Sequence, residues 1–134
     1  MVIGIIGAGA SGMAAALAAA EFENVQVILM ERQSRVGRKL AATGNGLHAS
    51  GDCYHGDAPQ FAASALTQYD VAHTLAWFED LGLYTVAEES GRVYPYSDQA
   101  NSVVDVLRFA LEKPNIQLLT GFEVKKVKKV DGGF

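Results

Sequence analysis

Cysteine, histidine and basic residues are scarce in this chain of 134 residues, and each scarcity excludes a class of protein. The single cysteine, Cys53, cannot form an intrachain disulfide, and the three histidines show no zinc-type spacing with it. We therefore expect a reducing, cytoplasmic setting and no metal site. The 15 acidic residues exceed the 11 basic ones, and the formal charge of −4 argues against nucleic acid or an anionic membrane as a partner.

Charged residues are also missing from residues 1–20, so hydropathy alone would permit a membrane span there. Four glycines interrupt the segment, no basic flank precedes it, and Glu21 and Glu23 follow at once. Because glycine weakens a continuous helix, the pattern favours a strand, a turn and a helix over a membrane span.

The turn is a glycine motif, residues 7–12, which lies between the apolar run 2–6 and an alanine-rich stretch typical of helix. In this pattern Gly7 permits a tight turn, Gly9 lets a pyrophosphate approach the bare backbone, and Gly12 lets the helix pack closely on the strand. The start of the helix, with Ala10 and Ser11, would direct unpaired N–H groups at phosphates.

An acidic residue strengthens this interpretation. Glu31 follows a second apolar strand, residues 25–30, and lies 19 residues after Gly12. An acid about 20 residues beyond the last glycine is where a ribose hydroxyl needs an acceptor. The sequence therefore predicts the βαβ start of a dinucleotide-binding domain, although Glu31 could also be only a solvated acid at the end of a strand.

The middle of the chain carries helical and hairpin patterns. Residues 32–39 predict a loop or short helix, and apolar spacing over residues 59–81 predicts two helices or one bent helix, ended by Gly82. Two short strands, residues 83–86 and 92–96, would form a hairpin whose second arm is an edge, because Pro95 cannot donate to a ladder.

The remaining residues return the chain to the sheet. Ser97 or Asp98 would cap a helix that ends before Pro114, and residues 116–119 would form a third sheet strand, parallel to the others. Residues 123–130 predict a strand entering a hairpin at Asp131, Gly132 and Gly133. The partner strand would begin at Phe134, where the sequence stops, so we expect a truncated domain. Lys125, Lys126, Lys128 and Lys129 are interpreted as a solvated strand face.

Several segments together are similar to one known family. The segments are residues 36–40, residues 43–46 and residues 91–100, in this order after the glycine turn. They resemble the aminoacetone oxidase-like, or BaiN-type, family of bacterial FAD-dependent oxidoreductases, over essentially the whole chain. The resemblance implies a Rossmann-like α/β domain, a parallel sheet with helices, over residues 1–134. It would have a helical and hairpin connection at about residues 52–98.

The resemblance also implies a set of FAD contacts. The residues of the glycine turn would hold the pyrophosphate, Glu31 the adenosine ribose, and Val124 the adenine edge through its backbone, with Arg32 flanking the adenine side. The remaining contacts would run along the diphosphate toward the flavin: Gly37, Arg38, Lys39, Thr43, Gly44, Asn45 and Gly46. Cations and N–H groups suit phosphates, and a carboxylate suits hydroxyls.

One segment departs from the family pattern. Where the family continues Arg-Cys-Asn after the second glycine, this chain has Leu47, His48 and Ala49. Either three residues are substituted or a short segment is missing. Contacts near the flavin ring are affected by this difference, and the catalytic residues stay unassigned.

The functional hypothesis is the FAD-binding portion of a flavin-dependent oxidoreductase acting on a small organic substrate, with NAD(P)H as electron partner. The alternatives are an NAD(P)-dependent dehydrogenase domain, which uses the same turn and acid, and a truncated, non-catalytic nucleotide-binding module. As a fragment the chain would be inactive alone, and its exposed strand edge predicts a homo-oligomer or association with the missing C-terminal portion.

Overall fold

The computed structural model describes residues 1–43, 47–48 and 59–134, which form two compact units. One unit comprises Met1–Leu40 with Leu107–Phe134, and the other comprises Ala41–Val106. The described part of the predicted connection, residues 59–98, falls within the second unit. In chain order the elements are β1 (Val2–Ile6), α1 (Ala10–Ala19), β2 (Gln26–Glu31), α2 (Arg38–Ala41), β3 (Leu47–His48), α3 (Pro59–Gln68), α4 (Val71–Asp80), β4 (Thr85–Ala87), β5 (Arg92–Pro95), α5 (Ala100–Ala110) and β6 (Ile116–Thr120).

The first unit contains a parallel sheet in the order β1-β2-β6. Ile3 lies opposite Val27, which in turn lies opposite Ile116, so these three apolar residues fall on a common face. Parallel strands need a crossover connection, and α1 supplies the one between β1 and β2. The predicted parallel sheet with a βαβ start is thereby confirmed.

Helix α1 packs its buried face on β1 and β2 and supplies much of the core. Met13 and Leu29 are fully buried, and burying such side chains stabilises a fold by about 1.5–3 kcal/mol each. Asn115, just before β6, donates from its side chain to the carbonyls of Ala20 and Val25 at 2.9 and 3.2 Å. This amide fixes the α1–β2 connection against the start of β6. Among the described helices, none is long and apolar enough to cross a membrane.

The other face of β1 is exposed. Side chains alternate between the two faces of a strand, and Ile5 lies on the α1 side, since a Cβ built on Gly12 would be 3.7 Å from it. Val2 and Ile6 therefore lie on the opposite face, where they remain 65% and 59% exposed. Among the described strands, β1 pairs with β2 alone, so it also presents an unpaired edge.

The second unit contains α3 and α4 and a small antiparallel sheet in the order β3-β5-β4. The helical pattern of residues 59–81 resolves into two helices, separated at Asp70, whose side chain accepts from the N–H of His73 at 2.9 Å and caps α4. Gly82, with φ +91°, ends α4 as expected, and the N–H of Leu83 donates to the carbonyl of Phe78 at 2.8 Å.

The prediction that the Pro95 strand lies at the edge of its sheet is wrong. Strand β5 is central and pairs with β4 on one side and β3 on the other. The N–H of Tyr96 donates to the carbonyl of Tyr84 at 2.9 Å, so the neighbouring Thr85–Pro95 pair falls at a site without ladder hydrogen bonds. The described pairing with β3 covers only Arg92 and Val93, so among the described residues the missing N–H of Pro95 removes no ladder hydrogen bond.

Two other local predictions need correction. Neither Ser97 nor Asp98 directly precedes α5, which begins at Ala100; Asp98 instead adopts a φ of +53° in a turn closed by its N–H on the carbonyl of Pro95. The expected hairpin turn forms, with an isolated bridge between Val130 and Gly133, but residues 123–129 pair with no described strand. Valine content favours a strand, yet a ladder requires a partner.

Candidate nucleotide-binding site

The glycine turn joins β1 to α1 in the geometry that an anion site requires. Gly7 has φ +95°, a value that favours glycine, and its N–H donates to the carbonyl of Met30 at 2.7 Å. Gly9 directly precedes α1 and provides no side chain to cap it. The first helical hydrogen bond runs from Met13 N–H to the Gly9 carbonyl at 2.9 Å. The N–H groups of residues 10–12 therefore have no partner within the helix and can bind an anion.

Gly12 and Gly9 are required for different reasons. A Cβ on Gly12 would overlap the carbonyl oxygen of Gly7, so only glycine lets the first turn of α1 pack on the loop. A Cβ on Gly9 would meet nothing within 4 Å, and the extended backbone there suits any residue. Packing within the protein explains Gly12 but not Gly9. The open space above Gly9 fits the close approach of a pyrophosphate to the backbone.

Glu31, the last residue of β2, lies beside this turn. One carboxylate oxygen, Oε2, accepts from the N–H of Ala8 and the other, Oε1, from the N–H of Gln33, both at 2.8 Å. These two hydrogen bonds, that from Gln33 first, lower the pKa of Glu31, and the positive charge of Arg32 contributes further. The half-buried carboxylate is therefore ionised at neutral pH. Each oxygen retains a lone pair that can accept from a ribose hydroxyl.

Ala8 connects the turn to the segment after β2. Its N–H donates to Glu31, and its carbonyl accepts from the N–H of Gly37 at 2.8 Å. Gly37 has φ +65°, and the adjacent Val36 is 7% exposed, so the segment is fixed against the turn. The next residue, Arg38, is thereby placed at the start of α2 in the same unit as the glycines.

The segment after β6 lies beside Glu31 as well. The N–H groups of Gly121 and Phe122 donate to the carbonyls of Gln33 and Glu31, both at 2.9 Å. Val124, the predicted adenine neighbour, follows two residues later and is half-buried. Its contact with adenine stays a prediction.

The structure brings most of the predicted contacts into one unit. Those contacts are Gly7, Gly9, Ala10, Ser11, Gly12, Glu31, Arg32, Gly37, Arg38, Lys39 and Val124. Arg32, Arg38 and Lys39 have exposed side chains. Thr43 belongs to the second unit, whereas Gly44, Asn45 and Gly46 lie outside the described residues.

Sequence reasoning missed two residues that organise this site. Ala8 acts through its backbone, and its only signal in the sequence is its position between two glycines of the motif. Gln33 acts through its backbone and its side-chain amide, and no motif singles it out.

Comparison with known proteins identifies the family. The HI0933-like protein Rossmann domain family matches the chain over residues 1–134. The chain belongs to this family. The resemblance to the aminoacetone oxidase-like proteins and the Rossmann-like fold are thereby confirmed.

Curated relatives of this HI0933-like chain are considerably longer. It is 42% identical, over 98% of its length, to the 3-dehydro-bile acid delta(4,6)-reductase of Clostridium scindens. It is 31% identical, over 97% of its length, to the ribosomal RNA dihydrouridine synthase of Escherichia coli. In each case the match covers 34% of the relative, so the chain spans about a third of their length.

A solved structure supports the same fold. The crystal structure of Thermovibrio ammonificans THI4 is similar to 98% of the HI0933-like chain with a TM-score of 0.60, and the similarity covers 43% of that structure. At 17% identity, this similarity concerns the fold alone.

Proposed function

We propose that this HI0933-like domain binds the adenosine diphosphate portion of FAD in a flavin-dependent oxidoreductase. The observation that carries the proposal is the open backbone at Gly9, beside three unpaired N–H groups and an ionised Glu31. The N–H groups suit the diphosphate, and the carboxylate suits the ribose hydroxyls. A bound flavin supplies the redox chemistry through its ring.

The role of this chain is then to bind and orient the cofactor. Gly12 holds the helix start close to β1, and the N–H groups at the start of α1 would hold the phosphates. The backbone N–H groups of Ala8 and Gln33 fix the Glu31 carboxylate beside the turn. Arg38 and Lys39 add positive charge directly after Gly37, whose N–H donates to the carbonyl of Ala8 in the glycine turn.

Competitive titration tests the choice of nucleotide. The purified chain, freed of nucleotide, is titrated with FAD, NADH and NADPH, and binding is followed by calorimetry. We expect FAD to bind most tightly, and NADPH to be disfavoured because its 2′-phosphate would face the negative charge of Glu31. Tighter binding of NADH than of FAD would support a nicotinamide-dependent dehydrogenase domain instead. No binding of any of the three would refute the proposal.

The substrate is proposed from the relatives. One curated relative is named as a reductase of a bile acid, and the other as a ribosomal RNA dihydrouridine synthase. From the first, whose substrate is a small molecule, we propose that the protein reduces a small organic molecule, with NAD(P)H as electron source, in a reducing, cytoplasmic setting. Loss of NAD(P)H oxidation when candidate substrates are omitted from the flavin-loaded full-length protein would support this, and substrate-independent oxidation alone would contradict it.

The exposed face of β1 supports a proposal about partners. Val2 and Ile6 present apolar surface beside an unpaired strand edge, which favours association with further polypeptide. We propose that the isolated chain self-associates through this face. Sedimentation velocity should show oligomers that grow with concentration and diminish in Val2→Lys. A monomer at every concentration would contradict the proposal.

A further inference from the structure

Gln33 contacts three parts of the nucleotide site. Its backbone N–H donates to Oε1 of Glu31 at 2.8 Å, and its backbone carbonyl accepts from Gly121 at 2.9 Å. Its side-chain amide oxygen accepts from Nη1 of Arg38 at 3.3 Å. One residue therefore links the proposed ribose acceptor, the segment after β6 and the proposed diphosphate cation.

The charges around Gln33 indicate what its hydrogen bond to Arg38 does. Glu31 and Arg38 carry opposite charges, yet in the described part of the chain they form no ion pair with each other. Backbone N–H groups occupy the carboxylate, and a neutral amide holds the guanidinium. An ion pair would engage both groups and weaken their contacts with a nucleotide. A neutral partner leaves the guanidinium its full charge and its remaining donors.

We propose that Gln33 is a positioning residue that holds Arg38 for contact with the diphosphate and away from Glu31. This inference rests on the proposed function. It concerns only the side chain of Gln33, because any residue except proline at this position supplies the backbone contacts to Glu31 and Gly121. Substitution of the side chain therefore leaves the hydrogen bonds that support the fold in place.

Calorimetry with two probes tests the proposal on the purified chain. ADP contains the diphosphate and adenosine does not, whereas both contain the ribose that Glu31 would bind. In Gln33→Leu we expect the affinity for ADP to fall about three- to tenfold, as for loss of one hydrogen bond. The affinity for adenosine should be unchanged. Gln33→Ala repeats the measurement with a shorter side chain, and Gln26→Leu, at an exposed position of β2, is the matched control for both probes.

A double-mutant cycle tests whether Gln33 affects ADP binding through Arg38. Once Arg38→Ala has removed the guanidinium, adding Gln33→Leu should cause no further loss of ADP affinity. Additive losses, an unchanged ADP affinity in Gln33→Leu, or equal losses for ADP and adenosine would each overturn the proposal while leaving the nucleotide site intact. Failure of the unsubstituted chain to bind either ADP or FAD would instead refute the proposed function, and this inference with it.

Discussion

Serine in place of Gly9 should stabilise the chain slightly while weakening its binding of FAD. The backbone at Gly9 is extended, with φ −78° and ψ −175°, and a Cβ there would meet no neighbouring atom. A serine side chain at this cap position can accept from the N–H of Ser11 or Gly12. The gain over glycine is a few tenths of a kcal/mol, or about 1 °C in Tm for a chain of this size.

The same hydroxyl should impair the anion site. It would occupy an N–H group that the diphosphate needs, and it would fill space that the phosphates must enter. Loss of one hydrogen bond to a charged group costs about 1.5–3 kcal/mol, so we expect FAD to bind at least about tenfold more weakly.

Thermal unfolding without nucleotide and calorimetric titration with FAD measure the two effects separately. Gly133→Ser is the matched control, since a Cβ at Gly133 also meets nothing within 4 Å. Gly133 lies in the hairpin turn closed by its bridge to Val130 and is not among the predicted nucleotide contacts. The control should change neither Tm nor the affinity for FAD appreciably. Unchanged FAD affinity in Gly9→Ser would refute the assignment of the open backbone to phosphate, and a marked loss of stability would refute the structural explanation.

Substitutions at three further positions test other parts of the structure. Gly12→Ala should destabilise the chain by about 1–3 kcal/mol in urea unfolding, because its Cβ would overlap the Gly7 carbonyl; unchanged stability would contradict that close approach. Glu31→Gln leaves the backbone N–H groups of Ala8 and Gln33 with one side-chain carbonyl oxygen between them. We therefore expect the free energy of unfolding to fall by about 1–3 kcal/mol at neutral pH. Because folding lowers the pKa of Glu31, the ionised carboxylate stabilises the fold above its ordinary pKa of 4.5, and this stabilisation is lost as the pH falls through the pKa of the folded state. The difference in free energy of unfolding between the parent and Glu31→Gln should therefore shrink over that pH range. A difference that stays constant with pH would contradict this explanation. Asp70→Ala removes the α4 cap and should lower the urea concentration at the unfolding midpoint, whereas Asp70→Ser, which can also cap a helix, should restore most of the loss; an unchanged midpoint in Asp70→Ala would contradict the cap.

The sequence predicted those parts of the fold that depend on neighbouring residues. The run Val2–Ile6, the glycine spacing and the helical spacing of residues 59–81 are local patterns, and strand or helix forms where each pattern lies. The sequence left open whether residues 59–81 form two helices or one bent helix. The edge prediction for Pro95 is wrong because a strand tolerates proline wherever no ladder hydrogen bond needs its N–H. The positions of those hydrogen bonds are set by the pairing of β5 with β3 and β4, which local sequence does not specify. The unpaired state of residues 123–129 likewise depends on a partner, which local propensity cannot specify.

The same distinction explains which residues of the site the sequence could identify. Gly12 must be glycine because its Cβ would overlap a backbone atom, so the requirement appears directly as a residue type. Ala8 and Gln33 hold Glu31 through N–H groups that almost any residue provides, so no residue type marks those positions. The carboxylate itself must come from an acidic side chain, so an acid at the expected spacing predicts Glu31 as the ribose acceptor. When a proposed site is built largely from main-chain N–H donors, the sequence marks only two kinds of position. These are the glycines, where a side chain would obstruct the site, and the few charged residues, whose charge the main chain cannot supply.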